Sequence, residues 1–189
     1  MNSTFAPRFV GGFTLVELMV TIAVLAILLA IAIPSFNGLM NAGRLTSTSN
    51  ELVAALQMAR AESIRRNKRA IVCGSSDGAD CAASSSWSGW LVFVDADGNG
   101  APAAGEIIQR GEVRDPVTLL SSSSVTNSKV AFRSDGFARK DGTSELLSGK
   151  FRTCIATSTP TNNMIDIELI SGSRVLSTKG NGGGACAAP

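Results

Sequence analysis

Histidine and tyrosine are both absent from the 189 residues, and aromatic side chains make up only 5% of them. Without histidine the chain lacks the commonest general base and the commonest transition-metal ligand. No paired-carboxylate arrangement replaces it, so the sequence is not expected to be an enzyme. A bias of charge is missing too. Lys and Arg number 17 against 15 Asp and Glu, a net +2, which argues in bulk for neither nucleic acid nor an acidic partner. With two Trp and eight Phe, any core must be built mainly from Val, Ile, Leu and Phe. The cysteines also lack the CxxC spacing of a zinc site, and no resident cofactor is expected.

What is present is unevenly spread. Phe13 to Ile33 reads FTLVELMVTIAVLAILLAIAI. At 1.5 Å per residue this run spans roughly 30 Å, about one hydrocarbon core. It is longer than the apolar region of a secretory signal and continues as a helical pattern, so it is expected to anchor rather than to be discarded. Glu17 is the anomaly. A carboxylate inside a spanning segment costs about 2.5–3.5 kcal/mol or more unless it finds a partner, and the run contains no basic residue. Cutting between Gly12 and Phe13 would create an α-amine four residues before Glu17, on the same helix face. Pro34 is expected to kink the helix. Beyond it Leu45, Leu52, Leu56 and Ala59 form a stripe that Val53 and Ile64 widen, opposite Asn50, Glu51, Gln57 and Arg60. The helix is expected to end near Arg65, Arg66, Lys68 and Arg69, where positive charge suits its C-terminus.

After Arg69 the pattern changes to strands: AIVCG, WLVFVD, EIIQRGEV, VTLLSS, KVAFRS, KFRTCIAT, MIDIELIS and SRVLST. Gly, Ser, Asn and Asp fill the linkers, as turns require. The expected fold class is α+β: a long N-terminal α-helix, membrane-spanning in its first half, packed on an antiparallel β-sheet head. The expected segments are 1–12, 13–33, 34–69 and 70–189. Cys73, Cys81, Cys154 and Cys186 all follow the apolar run, and an even count in an exported head predicts two disulfides with three connectivities open. Asp95, Asp97, Asn99 and Glu106 occupy the first, third, fifth and twelfth places of a calcium-loop pattern. Strands rather than helices flank it, and Pro102 and small residues fill its second half. A polar hairpin loop is the favoured reading, with calcium the alternative.

The segment GFTLVELMV, with the Gly12–Phe13 junction and Glu17, resembles the leader of type IV pilins and type II secretion pseudopilins. This resemblance implies a pilin-like fold, cleavage after Gly12 by an inner-membrane prepilin peptidase and N-methylation of Phe13. It gives Glu17 a role in filament assembly through a neighbour's N-terminus, and a proline at position 34 is usual in such chains. It also implies a single-pass protein of the bacterial inner membrane with its head in the periplasm, whose partners are other pilins or pseudopilins. In the head, Cys73, Cys81, Trp87, Gly89, Trp90, Phe93 and Asp95 resemble the FimT/GspH group of minor pilins and pseudopilins. For a head of this kind the expected pairs are Cys73–Cys81 and Cys154–Cys186, contributing roughly 2.5 and 3.7 kcal/mol by loop-closure entropy.

The implied function is to prime or cap a periplasm-spanning filament, serving pilus biogenesis or protein secretion. DNA capture for natural transformation is the alternative. Some FimT-type pilins use a Gly-Arg-x-Arg motif for it, of which Arg174 and a shifted Lys179 are a degraded match. Lys150 and Arg152, with Lys129, Arg133, Arg139 and Lys140, would be further phosphate contacts. Solvated strand and loop charges are the other reading of these cations.

Overall fold

The computed structural model describes residues 12–189, and for 32–35 the backbone alone. The chain divides into two compact units, Met1–Asn37 and Gly38–Pro189, each described here by itself. The first unit contains Gly12, the one described residue of the leader, and the first half of α1, Leu15–Arg66. This half is long and apolar enough to cross a membrane, with a mean hydropathy of 2.8 over its best 18 residues. The kink expected at Pro34 concerns a side chain outside the described residues, and α1 continues through that position.

In the second unit α1 presents Leu45, Leu52, Ala55, Leu56 and Ala59 as a buried stripe. Ile64 does not widen that stripe. It is 53% exposed and lies over Gly136, where a Cβ would come within 2.8 Å of its Cδ1. The helix ends at Arg66, inside the basic cluster as expected and three residues short of the expected segment bound at 69. Asn67 takes a left-handed φ of 51°. The Asn67 N–H then donates to the Ile64 carbonyl and the Lys68 N–H to the Ser63 carbonyl, a Schellman close that satisfies the last carbonyls. Arg65 and Arg66 sit in the last turn and both bond Glu62. Arg69 belongs to the first strand.

The head is two five-stranded antiparallel sheets rather than one. Sheet 1 orders β4 (Ile107–Glu112), β3 (Gly89–Asp95), β1 (Arg69–Gly74), β6 (Lys129–Phe132) and β7 (Ala138–Arg139). Sheet 2 orders β10 (Arg174–Gly180), β9 (Met164–Ile170), β8 (Gly149–Cys154), β5 (Thr118–Ser121) and β2 (Ser86–Trp87). The two-residue strands β2 and β7 carry too little pattern to be read from sequence. The split runs through the Trp-Ser-Gly-Trp motif. Trp87 pairs into sheet 2 opposite Leu119, while Trp90 pairs into sheet 1 opposite Gly74 and Gly111. Gly111 is required there, because any Cβ would fall inside the Trp90 indole.

The main core joins the α1 stripe to the inner faces of both sheets through Val72, Trp87, Trp90, Val92, Phe132, Phe151 and Ile167. Trp87 meets Phe151 edge to face at 5.1 Å, a favoured aromatic geometry. In the middle of the apolar stripe Ser49 meets Thr153 of β8 at 2.6 Å, so the polar groups buried there satisfy one another. A second core, Ile71, Cys73, Leu91, Phe93 and Ala131, covers the opposite face of sheet 1. Strand registers place Arg69, Asp95 and Lys129 on that same face. Lys129 Nζ donates to the Gly100 carbonyl at 2.8 Å, which lays the loop after β3 across this second core. Both expected disulfides form, Cys73–Cys81 and Cys154–Cys186.

Candidate functional site

Three places bear on function, the first at the start of α1. Gly12, Phe13 and Thr14 precede the helix. Phe13 is 84% exposed and nothing lies within 4 Å of where a Gly12 Cβ would be, so the Gly12–Phe13 bond is in open, non-helical backbone. Thr14 N–H and Thr14 Oγ1 both donate to Glu17 Oε2 at 3.3 Å, and Glu17 N–H donates to Thr14 Oγ1 at 3.2 Å. This reciprocal arrangement is a capping box. Thr14 is therefore a partner of Glu17 that the sequence reading missed, although Thr-x-x-Glu ahead of an apolar run is the signal for it.

The second place is the outer face of sheet 2. Cross-strand register sets Lys150 opposite Glu168 and Arg152 opposite Asp166. Lys150 bonds Glu168 at 2.6 Å. Arg152 grips Asp166 with two nitrogens, Nε to Oδ1 at 2.6 Å and Nη2 to Oδ2 at 2.9 Å, and Nη1 donates to the Ala187 carbonyl. The bond to Glu168 raises the pKa of Lys150, and the bonds to Asp166 raise that of Arg152.

The C-terminal segment, tied down by Cys154–Cys186, crosses this same face. Arg174 and Lys179 do not come together. Arg174 registers with Ile170 and Lys179 with Ile165, so five residues of alternation send them to opposite faces. Lys179 instead lines a groove with Leu45 and Thr46 of α1. The remaining candidate cations are engaged within the fold: Arg133 with the Thr143 carbonyl, Arg139 with Asp135, and Lys140 with Glu145.

The third place is the loop after β3. Asp95, Asp97 and Glu106 each bring a carboxylate oxygen within 4.8 Å of the others'. Asp95 Oδ2 accepts from Arg69 Nε at 2.7 Å, from Arg69 Nη2, and from the Gly100 N–H at 3.2 Å. Burial pushes the Asp95 carboxyl up, but the Arg69 guanidinium and the Gly100 N–H outweigh it and hold the group below the usual carboxylate range. Glu106 Oε1 accepts from Ala96 N–H and Oε2 from Ala103 N–H. Asn99 turns its Oδ1 to the Ala101 N–H. Lys68 and Arg69 reach the carbonyls of Ala96 and Gly98, so part of the basic cluster after α1 serves this loop.

Gly74-Ser75-Ser76-Asp77-Gly78 spells the nucleophile-elbow pattern, which the reading of the sequence wrongly took to be absent. It follows β1 but runs into a turn held by Asp77 rather than into a helix. The strand–turn–helix setting that gives that pattern its meaning is missing.

A helix with an acidic cap just inside an apolar segment, carried into a two-sheet antiparallel head, defines the class of type IV pilin-like proteins. The family model described as "Type II transport protein GspH" matches residues 48–174, and the prokaryotic N-terminal methylation motif matches residues 8–33. The first match covers more than half the chain, and the chain belongs to the GspH family. Two crystal forms of the type IV minor pilin FimU of Pseudomonas aeruginosa strain PAO1 share the fold. One is 21% identical over 71% of this chain and 92% of FimU, the other 20% over 72% and 89%, both with a TM-score of 0.51. No curated protein matches the chain.

Proposed function

We propose that the chain is a minor subunit that takes part in assembling a periplasm-spanning filament, by priming it or standing at its tip, in pilus biogenesis or protein secretion. The observation that carries this reading is Glu17, three residues into the run from Thr14, beside an exposed, non-helical Gly12–Phe13 bond. Prepilin peptidase would cut that bond, and Phe13 would be N-methylated. The head would lie in the periplasm and the apolar half of α1 in the inner membrane until assembly. The new amine and Glu17 then give each chain one cation and one anion at the same depth. Transfer from bilayer to filament lets these charges pair between neighbours in a medium of low dielectric, where an unpaired charge is costly. The head needs no catalytic chemistry or cofactor for this role.

DNA capture has less support. Lys150 and Arg152 are already neutralised by Glu168 and Asp166, and Arg174 and Lys179 lie on opposite faces of their sheet. Phosphate binding needs several free cations on one surface.

Filaments sheared from expressing cells test the assembly reading. Mass spectrometry should find this chain in them, beginning at a methylated Phe13 and in small amount relative to the major subunit. Recovery of the chain only with membranes, or only with residues 1–12 attached, would contradict it.

A further inference from the structure

The loop from Asp95 to Glu106 has one feature its own cations do not explain. Asp95 is a buried carboxylate, its side chain 0% exposed. Arg69 and the Gly100 N–H occupy Oδ2 alone. Oδ1 is buried with no donor among the described residues. An unpartnered buried charged oxygen is among the least favourable groups a fold can carry. The Gly100 N–H ties Oδ2 to the loop, and a carboxylate oxygen of Asp95 lies within 4.8 Å of oxygens of Asp97 and Glu106. Three carboxylates meet at a point closed on one side by sheet 1, where Arg69 serves one oxygen of Asp95 while Lys68 and Lys129 bond loop carbonyls rather than the acids.

We propose that this loop is a calcium site, with Asp95 Oδ1, Asp97 and Glu106 as its carboxylate ligands. Calcium suits the donor set: it takes six to eight oxygens, accepts irregular geometry, and favours acidic side chains mixed with carbonyls. The order of residues agrees, with acids at the first and third places, Asn99 at the fifth, a glycine of φ 73° at the sixth and Glu106 at the twelfth. Arg69 keeps Oδ2 and neutralises part of the charge. That places the affinity at the weak end for such loops, on the order of 10⁻⁴–10⁻³ M, as in extracellular modules. Binding would replace the bonds from the Ala96 and Ala103 N–H groups to Glu106 and pin the loop onto the second core.

The test is thermal unfolding of the full chain in detergent micelles, in EDTA and at several millimolar calcium chloride, for the wild type, Asp97→Asn and Glu106→Gln. Both substitutions are isosteric and at partly or fully exposed side chains; each keeps one accepting oxygen and exchanges the other for an amide NH2 that cannot accept. The wild type should gain about 5 °C in saturating calcium. Each variant should start from a slightly lower midpoint in EDTA, having lost one accepted hydrogen bond, and should lose most of the calcium-dependent gain measured from its own EDTA midpoint. No calcium-dependent shift in the wild type would overturn the proposal. So would an equal shift in both variants, which would place the ion elsewhere.

Discussion

Two Arg–Asp pairs sit at equivalent cross-strand positions, one in each sheet, and differ in what they leave over. Arg152 and Asp166 face each other on β8 and β9, and Arg69 and Asp95 on β1 and β3. In sheet 2 both carboxylate oxygens are matched by guanidinium nitrogens, and the neighbouring Lys150 and Glu168 close a second pair beside them. In sheet 1 the guanidinium serves one oxygen and the other is enclosed without a donor. The lesson concerns saturation. Sheet 2 presents a surface rich in charge but with its cations spent, a poor receiver of phosphate. The loop on sheet 1 has spent its cations without matching its anions, and is a receiver of one more.

Removing the acids should separate the two pairs most widely. In EDTA, Asp95→Ala removes the fully buried acid that holds Arg69 and the Gly100 N–H and should cost about 3–5 kcal/mol, as breaking a buried pair does. Asp166 is 17% exposed where Asp95 is fully buried, and the Ala187 carbonyl still holds Arg152, so Asp166→Ala should cost about 1–3 kcal/mol. Urea unfolding of both variants measures the contrast, and equal costs would remove it.

A smaller effect is expected from acid. Asp95 is held below the usual carboxylate range despite its burial, Asp77 by the N–H groups of Asp80 and Ala79, and Asp135 by the Phe137 N–H and Arg139. A depressed folded pKa contributes stability that is present above the unfolded value and is lost as pH falls through the folded one. The unfolding midpoint in EDTA should therefore fall at about pH 4 and below. Asp95→Asn should flatten that fall, which a pH series of thermal melts would detect.

The smallest effect concerns DNA. The full chain should not retard duplex DNA in a gel shift at low salt. An Asp166→Asn, Glu168→Gln double variant, which frees Lys150 and Arg152, should produce weak, salt-sensitive retention. Strong retention by the wild type would show that the paired cations are available after all.

How much could be read beforehand follows from how local each signal is. The apolar run, Glu17, the Gly12–Phe13 junction and the family resemblance are contiguous in sequence and needed no tertiary information. Most strands were legible for the same reason, as was the α1 stripe apart from Ile64. The division into two sheets was not, because it depends on which distant strand Trp87 and Trp90 each pair with. Neither was the exhaustion of the cations. Lys150 and Arg152 alternate along β8 as Asp166 and Glu168 do along β9, but only the hairpin register brings them opposite. The end of α1 was placed three residues late, because the charge run obscured Asn67, a residue suited to the left-handed position that closes a helix. Thr14 was overlooked although its capping signal was complete.

Glu17 has two roles open to it, a cap for its own helix and a counter-charge for another chain. Glu17→Gln separates them, since the amide oxygen still completes a capping box but carries no charge. Tagged wild type and Glu17→Gln would be expressed together, and the filaments sheared and quantified by mass spectrometry. Both chains should be found cleaved to Phe13 in the membrane, with the variant missing from filaments. A Glu17→Gln chain incorporated at the wild-type level would contradict the pairing of charges between neighbours.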